Sequence, residues 1–581
     1  MMKNIISKYI GILLIVTLFF NCQNLEQPEF SDFLYDGPVI TLTSPSPSGA
    51  TVVRSKDPIA PITIKFQVED DLGIAIISVK LDNVEIANMT EFTNSKLVIV
   101  DDLTKDVSTG SHTLTITVTD TNNVVATKTT TFEKIETPPY EPVFDSEIFY
   151  MAFDGDFSES ISGDGAVEVG TPGFTTDAYV GSNAYIGATD SYLTFPTTGL
   201  LGNEFSATFW YKMNNTSTNR AGILTVGPED TANPTSQNKR TSGFRLFREG
   251  GDSQSLKLNV GNGTNDGTAV PASSFNLTNS SGWVHIAFTL SQTKTIIYIN
   301  GVLAKELDRA VDWTGCDILS IMSGAPRFAG WNHKSDLSTM DELRLFNKAL
   351  NQNDITKIVA DGSKIFNMPF NGSFLETISK TDATVVGTPS FTTIAKEGSN
   401  AYAGATDSYL TFPTAGLLGN QLSATFWYKV NAAPTSAGLL VIGPTDEGKA
   451  ADKQNNRKSG FRFFREGSGT AQTFKLNVGN GTADSWFDGG AAARIDPTTT
   501  TDWVHLAFTI SGTECIVYIN GQVAKQGAFT GVDWTGCDIM SIMSGAPRFT
   551  EWGHKSDLSN MDGLALYKKA LSQVEIQALM N

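Results

Sequence analysis

The 581 residues contain only four cysteines and no run of apolar residues long enough to cross a membrane as a helix. Three thiols beyond Cys22 cannot form a disulfide framework in domains of this size. The longest apolar stretch, residues 10–20, is about half of what a spanning helix needs. Basic residues are also scarce, 42 Lys and Arg against 61 Asp and Glu, a formal net charge of −19. Phosphate affinity comes from clustered Lys and Arg, so nucleic-acid binding is excluded as an expectation. No zinc spacing, phosphate loop or Ser-His-Asp order is present. What remains, with 40% hydrophobic and 10% aromatic residues, is material for several packed domains.

At the start, Lys3 and Lys8 precede the apolar stretch and Cys22 follows it, the layout of a signal peptide over residues 1–21. Phe19-Phe20-Asn21-Cys22 resembles a bacterial lipobox. The resemblance implies acylation of the Cys22 thiol and cleavage before it, and several acyl chains on one residue anchor stably. Residues 22–36 then read as a polar tether. The expected location is the outer membrane, lipid-anchored and facing the cell exterior. An ordinary cleaved signal with a chance cysteine is the other reading. Cys316 and Cys537 occupy matching positions further on, Cys515 stands where an earlier copy has Thr295, and all three read as small buried thiols.

Duplication sets the architecture. Asn183-Ala-Tyr-Ile-Gly-Ala-Thr-Asp-Ser-Tyr-Leu-Thr-Phe-Pro196 returns almost unchanged from Asn400 to Pro413, and Gly243-Phe-Arg-Leu-Phe-Arg-Glu-Gly250 returns from Gly460 to Gly467. Each copy is a whole domain of roughly 215 residues, 146–362 and 363–581, too long for a solenoid unit. Within a copy, Phe205, Ala207, Phe209 and Tyr211 alternate with Ser206, Thr208, Trp210 and Lys212, the period of a strand. Asn300-Gly301 and Asn520-Gly521 between short apolar runs predict type I′ hairpins. Ser572 with Glu575 has the spacing of a helix capping box near the end.

Trp283-Val-His, then Tyr298-Ile-Asn-Gly, then Met340-Asp-Glu-Leu-Arg-Leu-Phe-Asn-Lys-Ala-Leu350 closely resemble the laminin-G-like group of concanavalin A-like jelly rolls. Ahead of the copies, short alternating strands over 37–136 look like an immunoglobulin-like domain, read as a stalk, and the Pro-rich residues 137–145 as a stiff link. The expected fold is therefore all-β: an immunoglobulin-like sandwich followed by two concanavalin A-like jelly-roll sandwiches. This fold hosts lectins, adhesins and accessory modules of enzymes alike.

Catalysis is not expected. A glycosidase sets two carboxylates about 5–10 Å apart, whereas Asp341 and Glu342 are strand neighbours predicted to face opposite ways, and the second copy has Asp562-Gly563. His285 and His505, on strands, read as structural.

Binding has better candidates. All nine tryptophans lie in the copies, eight as matched pairs. Trp331 and Trp552 fall in a long loop that also carries Arg327, His333 and Asp336, or Arg548, His554 and Asp557. An aromatic face covers the C–H side of a pyranose while such polar groups bond its hydroxyls. The competing reading folds the loop back with its tryptophan packed on the sandwich. Trp486, the unpaired tryptophan, lies among Gly, Asp and Ser and reads as a loop aromatic that could extend a platform near Trp552. Arg248 and Arg465 could present a guanidinium to an acidic sugar, or pair with Glu249 and Glu466. A structural calcium, as in some laminin-G-like domains, would draw on Asp154, Asp156 and Asp341, and more weakly on Asn371 and Asp562. The expected function is a surface glycan-binding lipoprotein that captures polysaccharide or oligosaccharide for an outer-membrane uptake system, beside uptake-complex proteins. The alternative is an adhesin or structural surface protein that binds a protein or host-matrix partner.

Overall fold

The computed structural model describes residues 37–45, 52–55, 57–136, 140, 142–214, 219–251, 253–272, 275–279 and 282–580. Residues 1–36, read above as a signal peptide and a tether beginning at Cys22, lie outside them. The chain divides into two compact units, residues 1–140 and 141–581.

The first unit is a two-sheet sandwich. Val39–Ser44, Ile59–Glu69 and Leu97–Ser108 form a three-stranded sheet. Val52–Ser55, Val125–Glu136, Gly110–Asp120, Ile74–Leu81 and Val84–Met89 form a five-stranded one. Period-two alternation turns Ile64, Phe66 and Val68 of one sheet toward Ile77, Val79, Leu114 and Ile116 of the other, and these are the core.

The second unit holds both copies, each a sandwich of two large antiparallel sheets. In the first copy one sheet runs through Tyr192–Pro196, Cys316–Ile321, Arg220–Pro228, Phe244–Glu249, Ser255–Gly261 and Asp266–Ala269. The other is centred on Phe205–Lys212 between Thr339–Phe346 and Val284–Leu290. The second copy repeats both orders with Phe461–Ser468, Ala471–Gly479 and Asp484–Asp488 at the equivalent edge. Phe205, Phe209, Phe244, Leu246, Leu258, Ile286 and Phe288 fill the space between the sheets. The predicted hairpins form, with Asn300, Gly301, Asn520 and Gly521 all at positive φ. Two helices close the copies, α1 (Gln352–Asp361) and α2 (Gln573–Ala578), and each begins with a capping box, from Asn351 and from Ser572. Cys515 and Cys537 are buried free thiols, and Cys316 is half-buried.

One strand departs from simple alternation. Opposite Phe205–Lys212 the ladder passes from Thr208↔Arg344 to Trp210↔Asp341, so two residues, Glu342 and Leu343, face one. This bulge removes the premise that Asp341 and Glu342 must face opposite ways. The same slip occurs between Thr425↔Ala565 and Trp427↔Asp562.

The two copies share packing. Ala360 of α1 lies in the cluster that seats α2 on the second copy, with Ala507, Tyr518 and Ile576. Lys568 Nζ reaches back across the junction, donates to the Tyr179 carbonyl at 2.6 Å and lies 4.5 Å from that tyrosine's ring centroid.

Candidate functional site

The site begins as a row across one sheet. Cross-strand register aligns Ser320, Thr225, Arg245, Asn259 and Thr268 in the first copy. The second aligns Ser541, Val441, Arg462, Asn477 and Trp486. These side chains alternate with Phe244 and Leu258, or Phe461 and Leu476, which enter the core, so the row lies on the outer face. Over it lies the long loop 323–338, or 544–559. Close glycine approach lets the loop lie flat: a Cβ on Gly222 would meet Gly324 N at 2.0 Å, and one on Gly438 would meet Gly545 N at 2.1 Å.

That loop settles most of the expected site residues. Asp336 and Asp557 are completely buried and form two-bond ion pairs with Arg248 and Arg465. The Arg248 pair has Nε–Oδ2 and Nη2–Oδ1 contacts of 3.0 Å each, and the Arg465 pair 2.9 Å each. The Tyr211 hydroxyl donates to Asp336 at 2.7 Å, and Arg248 Nη1 donates to Gln254 at 2.8 Å. Neither arginine reaches a surface or pairs with its neighbouring glutamate, because Arg248 shares the core-facing parity of Phe244 and Leu246. All four residues are corrected from ligand contacts to core network.

His333 and His554 are also buried, stacked on Phe328 and Phe549 at 4.8 and 4.7 Å, with Nε2 3.1 and 2.9 Å from Glu249 and Glu466. The His554 ring beside it, with Lys475 close by, holds the Glu466 carboxyl down at about 2. Arg327 and Arg548 are occupied by Asp317 and Asp538, with closest contacts of 2.6 and 2.7 Å. Four of the six polar candidates in the two loops therefore hold the loop itself, with Arg248 and Arg465 of the sheet as partners of two of them, and Arg327 and Arg548 tie its edge to Asp317 and Asp538.

The tryptophans behave differently. Trp331, Trp552 and Trp486 are 44%, 45% and 40% exposed. Trp486 stands on the edge strand Asp484–Asp488, paired with Asn477, where a loop was expected. That strand brings it to Trp552: the ring centroids are 5.9 Å apart and the planes 23° from parallel. Arg457 joins them, its guanidinium carbon 4.7 Å from the Trp552 centroid and 5.6 Å from that of Trp486. Asp484 at 3.1 Å and Asn455 at 3.0 Å fix that guanidinium, and Asn477 donates to the same Asp484 oxygen at 2.7 Å. The first copy has Arg240 4.2 Å over Trp331, Asp266 3.6 Å from Arg240, and Thr268 in place of the second indole.

Arg457, Asp484 and Asn477 escaped the sequence reading. Their counterparts Arg240, Asp266 and Asn259 repeat in the first copy, and that matching was the available signal. Beneath the platform Arg462 is fully buried, its Nη2 donating to the Asn456 carbonyl, and burial pushes its pKa down to about 10.

The residues expected at calcium serve as backbone anchors. Asp341 Oδ2 accepts from Tyr179 and Val180 N, and Asp154 Oδ1 from Ser182 and Asn183 N. Asp156 accepts from Ser158 N. Asp562 accepts from Lys396 and Glu397 N, and Asn371 from Ser399 N. Among the described residues no group of three or more His, Cys, Asp or Glu is placed to hold a metal ion.

Residues 187–356 and 404–577 match the family described as the concanavalin A-like lectin/glucanases superfamily, Laminin_G_3. Together the matches cover more than half of the chain. The chain belongs to this family, in two tandem copies. No curated protein matches it. Among solved structures it is similar to domain 4 of an extracellular arabinanase from Geobacillus stearothermophilus, solved in complex with arabinotriose. That match has 19% identity over 38% of this chain and 98% of the other, with a TM-score of 0.30. Mouse laminin alpha1 domains LG4-5 match at 12% identity over 75% and 96%, TM-score 0.22. The binding domain of botulinum neurotoxin serotype C1 matches at 12% over 74% and 96%, TM-score 0.30.

Proposed function

We propose that this chain is a surface glycan-binding lipoprotein, anchored through Cys22 to the outer membrane, that captures polysaccharide for an uptake system. The observation that carries the reading is the paired, exposed indoles of Trp486 and Trp552 with Arg457 beside them. Such a surface offers apolar faces to sugar C–H groups and donors to sugar hydroxyls. The platform's carboxylates are committed, Asp484 to Arg457 and Asn477 and Glu551 to Asn455, which suits binding and not hydrolysis. The N-terminal sandwich acts as an immunoglobulin-like stalk.

The test is polysaccharide binding by the full chain, followed by affinity electrophoresis across neutral and acidic glycans. Trp552→Ala loses on the order of 1 kcal/mol, about five-fold in affinity, with an unchanged melting temperature. Wild-type binding by that variant, or no retardation by any glycan while a protein matrix is retained, defeats the reading in favour of an adhesin. Separately, Cys22→Ser moves the protein from the membrane to the soluble fraction, and a variant still in the membrane sinks the anchor.

A further inference from the structure

We propose a second sugar site at the junction of the two copies, a pocket for one neutral monosaccharide unit in which Glu342 and His285 of the first copy make the polar contacts. It is separate from the tryptophan platform. A cavity of about 200 Å³ lies there, walled by Tyr150, Trp210, His285, Glu342 and Arg344 of the first copy and by Lys364 at the start of the second. Two aromatic rings beside fixed polar groups are what a single sugar ring requires.

Three observations point to a ligand. The His285 ring is buried, lines the cavity, and has no protein partner on either nitrogen among the described residues. Burial, with the Arg344 charge nearby, pushes its pKa down to about 3, so it is a neutral ring with one donor and one acceptor to offer. A buried polar group left in that state is costly unless something occupies the space beside it.

The second observation is backbone strain. Glu342 sits at φ +56° on the bulge, and its counterpart Gly563 has the same φ. Glycine adopts this left-handed conformation freely, and a glutamate does so against steric cost, a pattern found at functional sites. The Glu342 carboxylate is held by the Tyr150 hydroxyl at 2.6 Å and by Arg344 Nη2 at 2.6 Å.

The third is divergence between the copies at this wall. Tyr150, Glu342 and Arg344 become Asn367, Gly563 and Ala565 in the second copy, and Val180 becomes Glu397, which accepts from the Trp427 indole at 2.8 Å. The second copy satisfies its own tryptophan and lacks the polar wall. Ligand charge follows from the pairing. Arg344 already lies between Glu147 and Glu342, and Lys364 pairs with Asp361 at 2.8 Å, so neither an anion nor a cation finds a free counter-charge. Hydroxyls, which both donate and accept, fit a wall of paired charges.

The full chain is titrated with arabinose, xylose, galactose, glucose and mannose, followed by tryptophan fluorescence and saturation-transfer NMR. At least one sugar binds saturably, and its affinity falls ten-fold or more in both Glu342→Gly and His285→Phe. Glu342→Gly gives up the Arg344 and Tyr150 bonds but relieves the left-handed backbone and leaves Arg344 paired with Glu147. A cooperative thermal melt is therefore expected to show it folded at the titration temperature, and its loss of binding is then not unfolding. Trp552→Ala retains the signal. Absence of saturable binding by all five sugars, or undiminished binding by Glu342→Gly or His285→Phe, overturns the junction site and leaves the platform reading intact. Loss of the signal in Trp552→Ala overturns it too, by assigning that binding to the platform.

Discussion

Arg248 and Asp336 show how one residue's parity decides its role. A guanidinium on the core side of a sheet must carry its own counter-charge, and here it meets a carboxylate, a tyrosine hydroxyl and an amide oxygen. Removing one partner strands the other charge, so Arg465→Leu is expected to cost about 3–5 kcal/mol in urea unfolding. Arg327→Ala, whose Asp317 partner is largely exposed, is expected to cost under about 1 kcal/mol in the same assay. Histidines add a pH dependence. Burial lowers His505 to about 4 and His285 to about 3, below the usual imidazole range. Between those values and roughly pH 6.5 the unfolded chain binds protons that the folded one refuses, so stability is lost as pH falls through that window. Thermal melts from pH 7 to pH 4.5 should show the decline, and His505→Phe should flatten it.

At the scale of elements, the long loop is a lid made rigid by its own polar residues. Phe549 and His554 stack on each other and against Phe464, and this packing presents Trp552. Phe549→Ala is therefore expected to lower stability by about 3 kcal/mol and to weaken glycan binding as well, whereas Trp552→Ala affects binding alone. Calorimetric melts beside affinity electrophoresis separate the two. The closing helix α2 is short, and its capping box supplies much of its definition. Ser572→Ala is expected to cost about 1 kcal/mol, read by urea unfolding.

Over the whole molecule the two copies are not equal partners. The second presents two indoles and the first presents one with Thr268 beside it. Within the full chain Trp331→Ala is thus expected to reduce polysaccharide affinity less than Trp552→Ala, by about five-fold in the comparison of the two. Equal losses would mean that Trp486 contributes nothing. Linked heads on one polymer gain avidity without new contacts. Packing of Ala360 and the reach of Lys568 to Tyr179 give the pair a defined junction, and the cavity described above takes Lys364 and Ile378 of its wall from the second copy.

The sequence by itself determined what depends on local pattern and duplication: strands from period-two alternation, hairpins from Asn-Gly, the capping box at Ser572, and two copies from Asn183 and Asn400 onward. It also singled out Trp331, Trp552 and Trp486, since tryptophans amid turn residues stand out in any reading. Tertiary structure decided which polar residues face water. Arg248 and Asp336 are far apart in the chain, and their pairing in the core follows from a loop crossing the sheet, which no spacing records. The same holds for Trp486 beside Arg457, brought together by an edge strand, and for Glu342, whose facing was set by a one-residue bulge that alternation cannot foresee. Local propensity acts over a few residues, whereas burial and pairing are set by whatever the rest of the chain lays on top.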